Sequence, residues 1–335
     1  MRKKAFFFLN KNWLLNISEA RSQKPEAGSR KPEDRNRKPE AGSRKPETRG
    51  LAGGDGPEEF HYIVRESYFM LEPQSFFDLA DFPYADIFAD TGFVWEALGR
   101  LKDYINTNVG EPLVHERLGS GIPLAEPLIL HNGSLAGAEG CRLVCDDVTK
   151  GKLAVYRHGQ RLAGASVIMA GVVLLGNRIK IGRGVLIESG ALIKEPAIIG
   201  DSSEVRQGAY LRGYCLIGRR CVVGHTTEVK HSIFLNDAKA GHFAYIGDSI
   251  LGTAVNLGAG TKLANLRFIR GEVMVKTPDG AINSGLRKFG AIFGDRTQTG
   301  CNAVTSPGTV IGRAGIIMPN TTVPSGCHPA GSLIK

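Results

Sequence analysis

The stretch SVIMAGVVLLGNRIKIGRGVLIESGALIKEPAIIGDSSEVRQGAYLRGYCLIGRRCVVGHTTEV, residues 166–229, carries one aliphatic side chain at every sixth position. Met169, Leu175, Ile181, Ile187, Ile193, Ile199, Val205, Leu211, Ile217, Val223 and Val229 are in register. Four residues after most of them comes a second small or branched residue, as in Val185, Ala191, Ala197, Ser203, Ala209, Cys215, Cys221 and Thr227. Gly follows the aliphatic directly at 176, 182, 200, 218 and 224. Neither a helix nor a flat strand has a period of six. A triangular coil with one short strand and one corner per hexapeptide does, and stacking such coils buries the aliphatic column in a shared core. The reading is an all-β solenoid, a parallel β-helix whose turn is three hexapeptides long.

Outward from this stretch the phase slips at Val229, whose unit is five residues long, and resumes at Phe234, Ala240 and Ile246, then again at Leu251, Leu257 and Leu263. After an interruption it returns at Phe293, Thr299, Thr305, Ile311, Ile317 and Val323. The solenoid is thus expected over 168–328. Within the interruption, 267–287, Glu272 to Lys276 alternates, Pro278-Asp279-Gly280 turns and Ala281 to Asn283 continues, which predicts a β-hairpin inserted between coils. Upstream, 127–167 reads as an irregular lead-in and 57–126 as a small, mainly helical segment. In the latter, Glu72-Pro73-Gln74-Ser75 predicts a capped short helix, and Trp95, Leu98, Leu101 and Ile105 put one apolar face on a helix over Val94 to Ile105.

Within the basic low-complexity tail 1–56, residues 21–49 repeat Lys-Pro-Glu at 24, 31, 38 and 45. Four prolines at a spacing of seven, with nothing apolar to bury, exclude a coiled coil and predict a disordered tail. The chain has 335 residues and a formal charge of +9, but this tail holds 14 Lys/Arg against 7 Asp/Glu, which leaves only +2 on everything after it. A basic nucleic-acid-binding domain is not expected. The apolar run Ala5 to Leu9 is too short to span a bilayer, so no membrane insertion is expected and a cytoplasmic location is inferred. The six Cys form no CxxC pair and are expected to be reduced thiols.

Departures from a regular repeat are where function is grafted. The richest is Lys239-Ala240-Gly241-His242-Phe243-Ala244-Tyr245-Ile246-Gly247-Asp248, followed by Val255-Asn256-Leu257-Gly258-Ala259-Gly260-Thr261 and Ala264-Asn265-Leu266. With Gly224 to Lys230 upstream, this resembles the acetyltransferase half of the bacterial bifunctional glucosamine-1-phosphate acetyltransferase and N-acetylglucosamine-1-phosphate uridyltransferase family. The resemblance covers roughly 169–325 and implies a left-handed hexapeptide β-helix, a homotrimer with active sites between neighbouring prisms, and acetyl-CoA as acyl donor.

By that resemblance His242 is the general base that takes a proton from the 2-amino group of an aminosugar phosphate, a task imidazole suits near neutral pH. Asn265 lies beside the attacking amine. Arg212, Lys230 and Lys288 match positions that bind the sugar phosphate or its sugar, and Tyr245 and Asn256 match residues that hold the sugar. Ala259 and Cys301 match positions lining the pantetheine path. Arg212 and Lys230 are one full coil apart, so the period itself places them at one site on adjacent coils. The sequence departs from the family in two ways, since Leu266-Arg267 replaces a Tyr-Asp pair and the hairpin is extra, and the family's basic C-terminal tail is not expected here. No nucleotide-binding loop of the L-x-x-G-x-G-T-R-M kind occurs, so nucleotidyltransferase activity is not expected.

Read without the resemblance, His242 is a corner residue bonded to backbone, and the two Asn make corner hydrogen bonds. Hexapeptide helices also carry zinc enzymes, but His225 and His231 are six apart, on different faces, with no third His, so no metal is expected. The remaining alternative is a non-catalytic scaffold or a regulatory subunit of a sugar nucleotidyltransferase.

Overall fold

The computed structural model describes residues 71–116, 118 and 121–335. The expected tail 1–56, and the start of the expected helical segment, lie outside the described residues. From Ser166 to Ile334 the chain winds as an all-β solenoid, a parallel β-helix of hexapeptide repeats, in three parallel sheets. We number the faces in the order the chain visits them. The first begins with Ser166–Ile168, the second with Val173–Leu175 and the third with Ile179–Ile181, and eight full coils are completed before Leu333–Ile334 opens another.

The period-six side chains point inward and stack on their equivalents one coil on. Ile193 pairs with Leu211, Leu211 with Val229, Val229 with Ile246 and Ile246 with Leu263 along the second face. Ile199, Ile217, Phe234, Leu251 and Phe293 do the same along the third. These side chains are essentially solvent-free, each worth about 1.5–3 kcal/mol of apolar burial. The five-residue unit after Val229 is absorbed at a corner, so register is kept. The first coil differs from the sequence reading by one residue. Ile168 and Leu174, not Met169 and Leu175, stand in register with Ile187 and Ile193, because the corner at 176–178 holds one residue more than the others.

Corners between the third and first faces place Ser202, Arg220, Asp237, Ala254, Arg296 and Ala314 in the left-handed region, at φ from 55° to 62°. The conformational cost is offset because each such N–H donates to the coil below, as Asp237 does to the Arg219 carbonyl (2.8 Å) and Arg296 to that of Thr253 (2.8 Å). Ser203 and Ser232, buried in the prism, satisfy their hydroxyls on backbone of neighbouring coils. Burial pushes the thiols of Cys215 and Cys221 up to about 12. All six cysteines are free.

The stretch 127–167, expected to be irregular, is instead built of antiparallel strands. Leu128–His131 pairs with Ser134–Gly137 and also with Ser166–Ile168, so it covers the open edge of the first sheet. Cys141–Cys145 pairs with Leu153–Arg157, which turns through His158-Gly159, both at positive φ, into Gln160–Arg161. Buried Leu153 and Val155 alternate there, a period-two signal that the sequence reading passed over.

Ahead of the strands, α1 (Pro73–Phe76) follows Glu72, whose side chain makes no capping hydrogen bond, so the expected cap is not formed. Helix α2 (Glu96–Asn108) starts and ends two to three residues later than expected and buries Ala97, Leu98, Leu101 and Ile105. These helices pack on the outer side of the third face, where Ile198, Leu216, Ile233, Ile250 and Ile292 are buried against Trp95, Leu98 and Leu101. The strands Met274–Thr277 and Gly280–Asn283 pair antiparallel, and Val273 and Val275 join the same cluster. Among the described residues no helix is long and apolar enough to cross a membrane.

Candidate functional site

On the second face Tyr210, Glu228, Tyr245 and Lys262 form an outward column on four successive coils. Further along the same strands Arg212 lies across from Lys230, and Lys230 across from Gly247. Arg212 Nη1 donates to Glu228 Oε1 at 2.7 Å. Lys230 Nζ donates to both oxygens of Asp248, at 2.7 and 3.0 Å. Asn265 Nδ2 donates to Asp248 Oδ2, and the Tyr245 hydroxyl donates to Asn265 Oδ1 at 3.3 Å. The close approach requires Gly247. A Cβ there would fall 2.6 Å from Asn265 Nδ2 and 2.7 Å from the Tyr245 hydroxyl.

Asp248 is the buried centre of this cluster, its side chain 7% exposed. His231 Nδ1 stands 3.0 Å from Asp248 Oδ1, an ion-pair distance without the alignment of a regular hydrogen bond. Burial alone would raise the Asp248 carboxyl, but His231, Lys230 and Asn265 together outweigh it and hold the group below the ordinary carboxylate range. Tyr245 is raised, first by burial and then by the negative charges of Glu228 and Asp248.

The first face carries the other half. His225 and His242 are paired on adjacent coils, with His225 Nδ1 2.9 Å from the Gln207 carbonyl. His242 is exposed, and its carbonyl accepts from the Gly260 N–H at 3.0 Å. It opens on a cleft of about 860 Å³ that Asn256, Ala259 and Cys301 also line. Ala259 and Cys301 sit where coils approach closely: a Cβ on neighbouring Gly258 would fall 2.7 Å from the Cys301 nitrogen. The far wall of the cleft is residues 145–149, at the tip of the antiparallel hairpin.

Lys288 returns from the inserted hairpin to this region. It is exposed, and the next residue, Phe289, donates its N–H to the Asn265 carbonyl at 3.0 Å and is buried against Trp95 at 5.9 Å between ring centroids. The candidates therefore fall into two groups. His242, Asn256, Ala259 and Cys301 line the cleft; Arg212, Lys230, Tyr245 and Asn265 form the second-face cluster with Lys288 beside it. The short corner 242–245 joins the two.

Sequence reasoning missed Asp248 and Glu228 as partners, although Asp248 closes the motif and stands one coil on from Lys230, whose carbonyl accepts its N–H. It also missed the wall at 145–149, because the alternation in the hairpin's strand marks a strand but not its place beside the cleft. Among the described residues no group of three or more His, Cys, Asp or Glu is arranged to hold a metal ion.

Residues 193–285 match a family model described as the GMPPB C-terminal domain. The chain is 44% identical over 96 residues, 29% of its own length and 24% of the relative's, to a bifunctional sugar-1-phosphate nucleotidylyltransferase/acetyltransferase of Sulfurisphaera tokodaii. It is 45% identical over 85 residues to the bifunctional protein GlmU of Methanococcus aeolicus, covering 25% of this chain and 20% of that one. A solved UDP-N-acetylglucosamine acyltransferase of Francisella novicida aligns over 48% of this chain and 58% of its own at 16% identity and a TM-score of 0.20. The chain thus spans about a quarter of the length of the curated relatives it matches. Over its central coils it carries a hexapeptide-repeat domain similar to those of sugar-1-phosphate nucleotidylyltransferase/acetyltransferases.

Proposed function

We propose that this chain is an acyltransferase that moves an acetyl group from acetyl-CoA to the amino group of an aminosugar 1-phosphate. The observation that carries the proposal is the corner 242–245, which sets an exposed His at the mouth of a cleft next to a cluster of Lys, Tyr and Asn side chains. In this reading His242 accepts the proton as the amine nitrogen attacks the thioester carbonyl, the C–S bond breaks, and coenzyme A leaves as the thiol. The cleft past Ala259 and Cys301 would take the pantetheine arm. Tyr245 and Asn256 would hold the sugar, and Asn265 the region of the amine.

The phosphate needs cations, but Arg212 and Lys230 are each already paired with a carboxylate of their own chain. Lys288, exposed on the segment beside Asn265, is the cation this reading assigns to the phosphate first. The proposed assembly is a cytoplasmic homotrimer. The third face is covered by the chain's own helices and hairpin, so contacts between copies would use the first and second. Light scattering should give three times the chain mass.

A second reading, a non-catalytic scaffold or regulatory subunit of a sugar nucleotidyltransferase, draws on the same pairing of Arg212 and Lys230. The test is thiol release from acetyl-CoA by the purified full chain with glucosamine-1-phosphate, galactosamine-1-phosphate and nucleotide-linked aminosugars. Release with one acceptor class is the expected result, and none with any would favour the scaffold.

A further inference from the structure

Resting on that reading, we infer that Asp248 is the positioning residue of the site, the group that fixes how Asn265 is presented to substrate. Three facts carry this. Its carboxylate is buried, it receives Lys230 Nζ through both oxygens, and it receives the side-chain amide of Asn265. The backbone holds it in place from both sides, since its N–H donates to the Lys230 carbonyl (2.9 Å) and its own carbonyl accepts from Gly290 (2.8 Å).

The consequence is chemical. A carboxylate accepts and does not donate, so the Asn265 amide must turn its NH₂ toward Asp248 and its oxygen toward the Tyr245 hydroxyl. One N–H of Asn265 is thereby consumed and one is left to donate. Asn265 is fixed as a hydrogen-bond donor, suited to a carbonyl oxygen gaining negative charge during acyl transfer and unsuited to accepting from an ammonium group. Lys230, held by the same carboxylate, is kept on the second face with its charge largely matched, and it acts as part of the cradle.

The experiment is a double-mutant cycle on the full chain with Asp248→Asn and Asn265→Ala, measured by thiol release and by the side-chain amide resonance of Asn265. Asp248→Asn leaves one acceptor oxygen facing two donors, Lys230 and Asn265, so the Asn265 amide loses its fixed orientation. The kcat should fall by up to about 100-fold, the scale on which a misplaced group costs rate, with a smaller change in KM. The double variant should be no slower than Asn265→Ala alone, because the first change acts through the second. Additive losses, or full activity in Asp248→Asn, would overturn the inference.

The amide resonance separates this inference from the reading beneath it. If the wild type releases no thiol, the acetyltransferase reading fails, while a shifted Asn265 amide in Asp248→Asn would still uphold the positioning role and an unmoved one would refute it. If Asp248→Asn does not fold, the wild type suffices. The carboxylate is faced by Lys230, His231 and Asn265, with the Tyr245 hydroxyl beyond Asn265. The Asn265 amide should hold its shift as pH falls through the ordinary carboxylate range and move only below it. An amide that moves within that range would contradict the assignment.

Discussion

Replacing Gly224 by Ala adds one methyl at the point where the coil bearing His225 touches the coil bearing His242. A Cβ built there lies 1.8 Å from the Gly241 carbonyl oxygen, 2.1 Å from its carbonyl carbon and 2.5 Å from its Cα. Each distance is far inside the 3.4 Å at which ordinary contact begins, and all three atoms are backbone. No side chain can rotate away. Relief requires moving Lys239–His242 off Val222–His225, against the pairing of Val222 with Lys239, Val223 with Ala240 and His225 with His242. Overpacking of this kind costs about 1–3 kcal/mol, which for a protein of this size lowers the thermal midpoint by roughly 1–5 °C. A shift of about 1 Å in His242 should reduce acetyl transfer on the order of 100-fold. Gly241→Ala is the control for stability, since a Cβ there meets nothing within 4 Å, and its thermal midpoint should match the wild type. Thermal unfolding and thiol release on both variants make the check. A wild-type midpoint for Gly224→Ala, or equal damage from Gly241→Ala, would refute the reasoning.

Phe234, solvent-free between Ile217 and Leu251, should cost about 3–5 kcal/mol as Phe234→Ala, read by denaturant unfolding. Lys288→Ala should raise the Michaelis constant for the sugar phosphate with a smaller change in kcat, because a phosphate contact acts in ground and transition states alike; steady-state kinetics decide it. The lowered Asp248 carboxyl binds its proton later in the folded than in the unfolded chain. Its contribution to stability is therefore complete above the ordinary carboxylate range and is lost as pH falls through the lowered value. Thermal midpoints measured downward from pH 5 should fall more steeply for the wild type than for Asp248→Asn.

The repeat was legible because a single inward side chain per hexapeptide is all the prism needs, and from Ile181 onward each is buried where the period puts it. Met169 and Leu175 misled because Ile168 and Leu174 beside them are as apolar, and only the longer corner at 176–178 distinguishes the two registers. The cover on the third face did leave a signal. Ile198-Ile199, Leu216-Ile217, Ile233-Phe234, Ile250-Leu251 and Ile292-Phe293 are adjacent apolar pairs, and alternation along a strand sends one in and one out. Both can be buried only if something packs outside, here α2 and the inserted hairpin. In the site, the period placed Arg212 across from Lys230, but it could not show that Glu228 and Asp248 neutralise them. Those contacts depend on side-chain reach and on the left-handed backbone at Asp248, φ 47°. The hairpin wall at 145–149 lies too far along the chain from the motif for spacing to connect them.

The central claim is that His242 removes a proton during acetyl transfer. The direct measurement compares wild type and His242→Ala for thiol release under saturating acetyl-CoA and aminosugar phosphate, with sugar-phosphate binding followed by calorimetry on the same samples. The account predicts turnover lower by about 10²- to 10⁴-fold with binding nearly unchanged. Undiminished turnover in His242→Ala would contradict it.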